Sequence, residues 1–168
     1  GHGVGPGTGA LGCCTTPGDH TPQTDKAHGP ARRGATTTLT DVGVVTTFVD
    51  PRIGADIAKL MRPNTKVVYL EAPGSQTFEV QDVDAIAGVA KKHGAAVLVD
   101  NTWATPPDFK PFDHGSHPSI HAGTTSTAGH PHALMATIPS PTPPLPAPPN
   151  TTPHPIGPPP APHRQPPP

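Results

Sequence analysis

Apolar residues are concentrated in short runs through the middle of this chain and thin out toward both ends. Residues 44–49 form a β-branched run and predict a strand. Asp50-Pro51 then reads as an N-cap followed by proline at the first helical position. Ile53, Ile57, Leu60 and Met61 fall on one face of the predicted helix, and Pro63 and Asn64 stop it. Residues 66–71 are nearly continuously apolar, the pattern of a strand covered on both faces. A loop follows at Ala72-Pro-Gly-Ser75. Asp82 is placed to cap a helix in which Val83, Ile86, Ala87 and Ala90 share a face, and Gly94 closes it. Residues 95–99 predict another buried strand ending at Asp100, and Ser119-Ile-His121 a further one. Strands alternating with helices imply a right-handed, mostly parallel α/β sheet. Ligands of such sheets bind beyond the carboxyl ends of the strands, which is where Asp100 falls.

Composition limits how much of the chain this sheet uses. With 28 Pro and 18 Gly, over a quarter of the residues resist regular structure. Three zones result: a Gly-, Thr- and Pro-rich start at 1–38 with little periodicity, read as a degraded beginning of the domain with a disordered Gly-rich N-terminus, a folded core at 39–138, and a proline-rich tail at 139–168. The tail cannot bury enough apolar surface to offset its ordering entropy and is expected to be a polyproline-like coil. A net charge of -1 gives no reason to expect nucleic acid or an anionic membrane as partner. No apolar run has membrane-spanning length and no signal peptide opens the sequence, which starts at Gly1 and reads as a fragment. Cys13 and Cys14 are neighbours, a poor geometry for a disulfide, which fits a reducing, cytoplasmic setting.

Several exact stretches carry more information than the pattern. They are Pro17-Gly-Asp-His20, Gly29-Pro-Ala-Arg-Arg33, Thr47-Phe-Val-Asp-Pro51, Ile53-Gly-Ala-Asp-Ile57, Arg62-Pro-Asn-Thr-Lys66 and Leu70-Glu-Ala-Pro-Gly-Ser75. Val97-Leu-Val-Asp-Asn-Thr-Trp-Ala-Thr-Pro106, Phe109-Lys-Pro-Phe-Asp113 and Gly129-His130 follow. In this order and spacing the chain resembles the large domain of the Cys/Met-metabolism family of pyridoxal 5′-phosphate (PLP) enzymes, in its cystathionine β-lyase branch. The resemblance is dense over 40–138 and extends back to about residue 2. It implies the aspartate-aminotransferase-like fold, PLP as cofactor, a homo-oligomer, and β-elimination from cystathionine to homocysteine, pyruvate and ammonia. Cystathionine γ-synthase and γ-lyase share that large domain and are the alternatives within the family.

The resemblance also implies roles for individual residues. PLP acts as an electron sink tuned by a carboxylate on its ring nitrogen. Asp100 falls on that position, although an aspartate in a loop after a buried strand is common by itself. Gly3 and Val4 stand where family members offer phosphate-binding amides at a helix N-terminus. Thr124 matches a threonine that also contacts phosphate, and His28 replaces the tyrosine that stacks on the cofactor ring. The main departure is Thr125, which occupies the position of the lysine that holds the cofactor covalently and moves the substrate proton. Loss of a general acid–base group alone costs about 10²–10⁴ in rate, and the covalent anchor goes with it. The resemblance therefore implies a catalytically incompetent chain. In this sequence the proline-rich tail stands where the family has its small domain.

The substitutions cluster in a way that suggests compensating frame errors. Codons for Lys-Tyr-Leu read one base out of frame yield Ser-Thr, as at Ser126-Thr127, and off-frame GC-rich DNA yields a Pro/His/Ala-rich tail such as follows Ile138. A decayed gene is the plainer alternative. Two readings from other classes remain. His114, His117, His121, His130 and His132 crowd one segment, but Gly115 and Pro118 interrupt any helix that would align them for a metal. Pro143-Pro-Leu-Pro146 is of a kind that proline-recognition domains dock, although such strings arise readily in any proline-rich tail. Translation of the coding DNA in all three frames across 107–168 is expected to restore Thr-Lys-Tyr-Leu in another frame. A clean frame encoding Thr125 would make the substitution genuine.

Overall fold

The computed structural model describes residues 6–75, 77–116, 119–122 and 136–137. Helix α1 spans Pro6–Cys14, strand β1 His20–Thr24, α2 Gly29–Thr36, α3 Thr38–Asp41 and β2 Val45–Val49. A 3₁₀ helix at Gly54–Leu60 leads to β3 at Val67–Glu71. Helix α4 is Val83–Lys92, β4 Ala96–Asp100 and α5 Thr105–Asp108. After a second 3₁₀ turn at Pro111–His114 come β5 at Ser119–Ala122 and β6 at Ala136–Thr137. The strands lie in the order β2-β1-β3-β4-β5-β6, with only the last pair antiparallel.

Both faces of this sheet are covered, and the two-residue period of the strands decides which side chain goes where. Val68, Leu70, Val97 and Val99 pack with Ile57, Val83, Ile86 and Ala90, beneath α4 and the first 3₁₀ helix. Val67, Tyr69, Leu98 and Ile120 point the other way and pack with Leu11, Ala31 and Leu39 of α1, α2 and α3. Asp82 caps α4 as expected, its Oδ1 accepting the Ala85 N–H at 3.0 Å. Lys91 and Lys92 complement the negative end of its dipole. Gly94, at φ +69°, ends the helix in the left-handed region.

Three expectations need correction. The disorder expected of the Gly-rich start does not extend to residues 6–38, which contribute two helices and the interior strand β1. The glycines there permit close approach: a Cβ on Gly7 would sit 2.6 Å from the Tyr69 hydroxyl, and one on Gly34 would collide with Thr8. Asp50-Pro51 does not begin an α-helix. Asp50 closes a local turn by accepting the Arg52 N–H, and the 3₁₀ helix starts only at Gly54, whose φ is +49°. Ile57 still faces the core, with Ile53 and Met61 packed against it. The first strand of the predicted core starts at Val45, not residue 44.

β1, with the sequence His-Thr-Pro-Gln-Thr, is the anomaly of the sheet, polar yet buried throughout. It pairs with β2 over its whole length. Its odd-numbered neighbours serve that ladder, since Asp19 C=O accepts from Val45 and Asp25 N–H donates to Val49. Even-numbered positions therefore face β3, as His20 does in bonding Asn64 and Lys66. Pro22 is even-numbered and has no N–H to give. The β1–β3 contact is accordingly reduced to a bridge at His20–Thr65 and a single pair at Gln23–Tyr69, with one extra residue bulged out on the β3 side between them.

The buried Gln23 amide and Thr21 hydroxyl also lack hydrogen-bond partners among the described residues. A buried polar group without a partner costs about 1–3 kcal/mol. Gln23→Leu is therefore expected to raise the unfolding free energy by about that amount. A urea titration giving a lower midpoint for the variant would show that the amide is satisfied in solution.

Candidate functional site

β3 and β4 pair in register from Val67–Ala96 to Glu71–Asp100, so both strands finish on a carboxylate at the same level. Glu71 continues the Val67–Tyr69 face and Asp100 the Leu98 face. Both carboxylates thus open on the side covered by α1 and α2. A cleft of about 290 Å³ lies there, with Glu71, Asp100, Tyr69, His28, Gly7 and Trp103 among its walls. This is the carboxyl-end position the sheet topology demands. No Lys or Arg is among the described residues lining it.

Each wall has a local cause. Asp100 Oδ1 accepts from the Thr102 N–H at 3.0 Å and from the Thr102 hydroxyl at 2.5 Å, which fixes the carboxylate at the strand end. Glu71 is almost fully buried. Its Oε2 accepts the backbone N–H of His28 at 2.7 Å, and its own N–H donates to Gln81 Oε1 at 3.2 Å. The first bond spans from β3 to the residue that precedes α2. Tyr69 is fully buried, with its hydroxyl beside the Asp100 carboxylate. At the outer rim Trp103 stands edge-on to Phe78, ring centroids 5.2 Å apart. Both rings are more than half exposed, and Phe78 is held at φ +57°.

Burial and crowding of negative charge set the ionisation of this cleft. Glu71 is pushed up to about 7, first by desolvation and then by the Asp100 charge, against the pull of the His28 N–H. Desolvation, with the Asp100 and Glu71 charges added, holds the Tyr69 proton on well above the usual phenol range. The cleft therefore has a carboxylate at Asp100, a carboxyl at Glu71 that is easily protonated, and a neutral phenol. It suits a flat ligand carrying a cationic or proton-bearing nitrogen.

Of the residues singled out from sequence, Asp100 and His28 meet in this cleft. Gly3, Val4, Thr124 and Thr125 lie outside the described residues, as do His117, His130, His132 and the proline-rich tail. Among the described residues no group of three or more His, Cys, Asp and Glu side chains is placed to hold a metal. His114 instead meets the Asp84 carboxylate at 3.0 Å and stacks on Phe109, while His121 is buried on β5. Also among the described residues, no helix is long and apolar enough to cross a membrane. Glu71, Tyr69 and Trp103 were not singled out from sequence. Glu71 had a readable signal, a lone acid ending an apolar strand as Asp100 does.

Comparison with known proteins decides the family. The model of the Cys/Met metabolism PLP-dependent enzymes matches residues 3–164. The chain belongs to that family. A candidate cystathionine beta-lyase of Rhizobium johnstonii is 50% identical over 121 residues, covering 72% of this chain and 31% of that protein. The cystathionine beta-lyase MetC of Escherichia coli is 43% identical over 122 residues, 71% of this chain and 31% of its own length. Among solved structures, a candidate O-acetylhomoserine (thiol)-lyase of Campylobacter jejuni, with pyridoxyl-lysine-5′-monophosphate, superposes with a TM-score of 0.73 at 27% identity. That match covers 79% of this chain and 34% of the other. The chain thus spans about a third of the length of the curated relatives it matches. The α/β fold is that of PLP fold-type-I enzymes, and the family is PLP-dependent.

The cleft and the base of β1 make opposite demands on pH. His20 is fully buried, with its ring nitrogens 2.7 Å from Thr65 Oγ1 and 2.9 Å from Thr47 Oγ1. Desolvation, helped by Arg62, lowers its pKa to about 4. The unfolded chain takes up that proton first, so His20's contribution is full above its ordinary 6.5 and is lost as pH falls toward 4. Glu71 has the reverse sign: its contribution is full below its ordinary 4.5 and is lost as pH rises toward 7. The two are expected to offset each other, leaving wild-type stability nearly flat between these limits. Glu71→Gln removes one limb, and stability is then expected to fall by up to about 3 kcal/mol on acidification. Urea melts of both proteins across this range check it, and parallel curves would refute it.

Proposed function

We propose that this chain represents the cofactor-binding large domain of a carbon–sulfur lyase of the cystathionine β-lyase type, and that in its present sequence it binds PLP without covalent attachment and does not turn over cystathionine. The observation that carries the reading is the cleft at the ends of β3 and β4, where Asp100 and His28 meet.

The described residues fit the pyridine end of PLP. A ring nitrogen that must stay protonated needs a carboxylate, and Asp100, fixed by Thr102, supplies it. His28 lies on the wall where a ring would stack, and the buried Tyr69 phenol stands beside the Asp100 carboxylate. The cleft volume is at the small end of ligand sites, in keeping with a single substituted ring. When bound, PLP supplies the electron sink for carbanion charge. The chain's own part is to hold the ring, keep its nitrogen protonated through Asp100, and limit water on the α1–α2 side. Gly3, Val4 and Thr124 are assigned to the phosphate by the family pattern alone.

Thr125 decides activity in this reading. A threonine hydroxyl has neither the amine for covalent attachment nor the basicity to move a proton from carbon. Cystathionine as substrate rests on the relatives named cystathionine beta-lyase, at 50% and 43% identity.

The test is chemical trapping. The full chain incubated with PLP and reduced with borohydride is expected to carry no pyridoxyl group at position 125 and to release no pyruvate from cystathionine. Thr125→Lys is expected to gain the pyridoxyl mass on that residue by peptide mass spectrometry. Cystathionine turnover by the unaltered chain would overturn the assignment of Thr125. An unlabelled Thr125→Lys variant, with urea melts showing it folded, would overturn the cofactor site.

A further inference from the structure

Helix α2 begins without a side-chain cap of its own: His28 occupies the N-cap position and makes no capping hydrogen bond. The first amides of a helix need acceptors, and a buried one left without costs stability. Here the acceptor comes from another element. Glu71, at the end of β3, reaches across the cleft wall and takes the His28 N–H at 2.7 Å. The same residue, His28, presents the ring that lines the cleft.

We infer that Glu71 is a positioning residue of this cleft: it caps α2 from the neighbouring strand and thereby sets where the His28 ring stands relative to Asp100. This rests on the cofactor reading of the cleft and adds to it a residue the family pattern did not assign in this chain. Three further observations support it. Glu71 and Asp100 are register partners, so a bond that fixes Glu71 to His28 also fixes the spacing between His28 and the nitrogen-binding carboxylate. Gln81 holds the Glu71 backbone from the far side, so the strand end does not drift. The carboxyl is buried, and the groups that face it are Asp100, Tyr69 and the His28 amide, which leaves that amide as its hydrogen-bond donor among the described residues. The carboxyl's readiness to take a proton limits repulsion toward Asp100 and leaves the second oxygen free to accept.

Glu71 acts through His28 and not on the ligand's reacting atoms, which separates it from a general acid. The probe is pyridoxine 5′-phosphate, which lacks the aldehyde and cannot label lysines. The chain has a single tryptophan, and Trp103 lies on the cleft rim, so its fluorescence reports occupancy. The variants are Glu71→Met, which keeps the volume and drops the acceptor, Glu71→Gln, which keeps an acceptor, and His28→Ala, which leaves the core intact. Glu71→Met is expected to weaken binding about tenfold, the scale of one lost hydrogen bond. Glu71→Gln is expected to stay within about twofold of wild type. His28→Ala is expected to weaken binding, and combining it with Glu71→Met to add nothing further. Amide exchange gives a readout without ligand: the His28 N–H is expected to be protected in wild type and Glu71→Gln and fast in Glu71→Met. Equal affinity of Glu71→Met and wild type, or losses that add in the double variant, would overturn the inference alone. Absence of binding by the wild-type chain would overturn it together with the cofactor reading. If Glu71→Met does not fold, unchanged binding by His28→Ala still overturns it.

Discussion

The in-register pairing of β3 with β4 governs almost everything else in this molecule. Five successive pairs bring the two strands to a common end, so that Glu71 and Asp100 meet the solvent boundary together. Because side chains alternate across a sheet, both acids are committed to one face by the same alternation that sends Leu70 and Val99 into the opposite core. A slip of either strand by a single residue would turn its carboxylate away from α1 and α2 and part the two acids onto opposite faces. The apolar covering on both faces makes that slip costly, so the geometry of the site is fixed by aliphatic packing that never touches it.

The same sheet tolerates a poor strand in its interior, next to the edge. β1 offers polar side chains to a buried environment and a proline to an interior ladder, yet it keeps its place between β2 and β3. Its β2 ladder is complete because the odd-numbered positions serving it retain their amides. His20 is spared the cost of an orphaned imidazole by two threonine hydroxyls, at the expense of being held neutral. Local defects are thus absorbed where a neighbouring ladder can compensate, and remain where none can, as at Gln23.

Much of this was readable in the sequence, for identifiable reasons. The apolar runs at β3 and β4 are long enough and uniform enough that only a doubly covered strand accounts for them. Asp82 and Gly94 delimit α4 because capping chemistry is local. Asp100 and His28, singled out through the family pattern, line the cleft. Glu71 carried the same strand-end signal as Asp100, but its role was not legible because its partner, the His28 amide, is a backbone group with no signature in the sequence. The helix expected after Asp50 failed because Gly54 takes a positive φ, which breaks α-helical continuity where the apolar spacing alone shows none. α1 was missed because its glycines lower helix propensity, and their use, letting α1 approach Tyr69 and α2, exists only in the folded chain.

The proline in β1 has one more consequence. With its β3-side ladder thinned to a bridge and a single pair, the sheet is stitched continuously from β3 through β5 and from β1 to β2, but only loosely between these halves. The two acids of the cleft belong to one half, while His28 and α2 follow directly from the other. The cleft is therefore built across a seam, and the Glu71–His28 bond is one of the hydrogen bonds that cross it, with those of His20 to Asn64, Lys66 and Thr65 at the other end. Cooperative units part where their ladder bonds are fewest, so the boundary between β1 and β3, with the cleft at its end, is where this sheet is expected to loosen first.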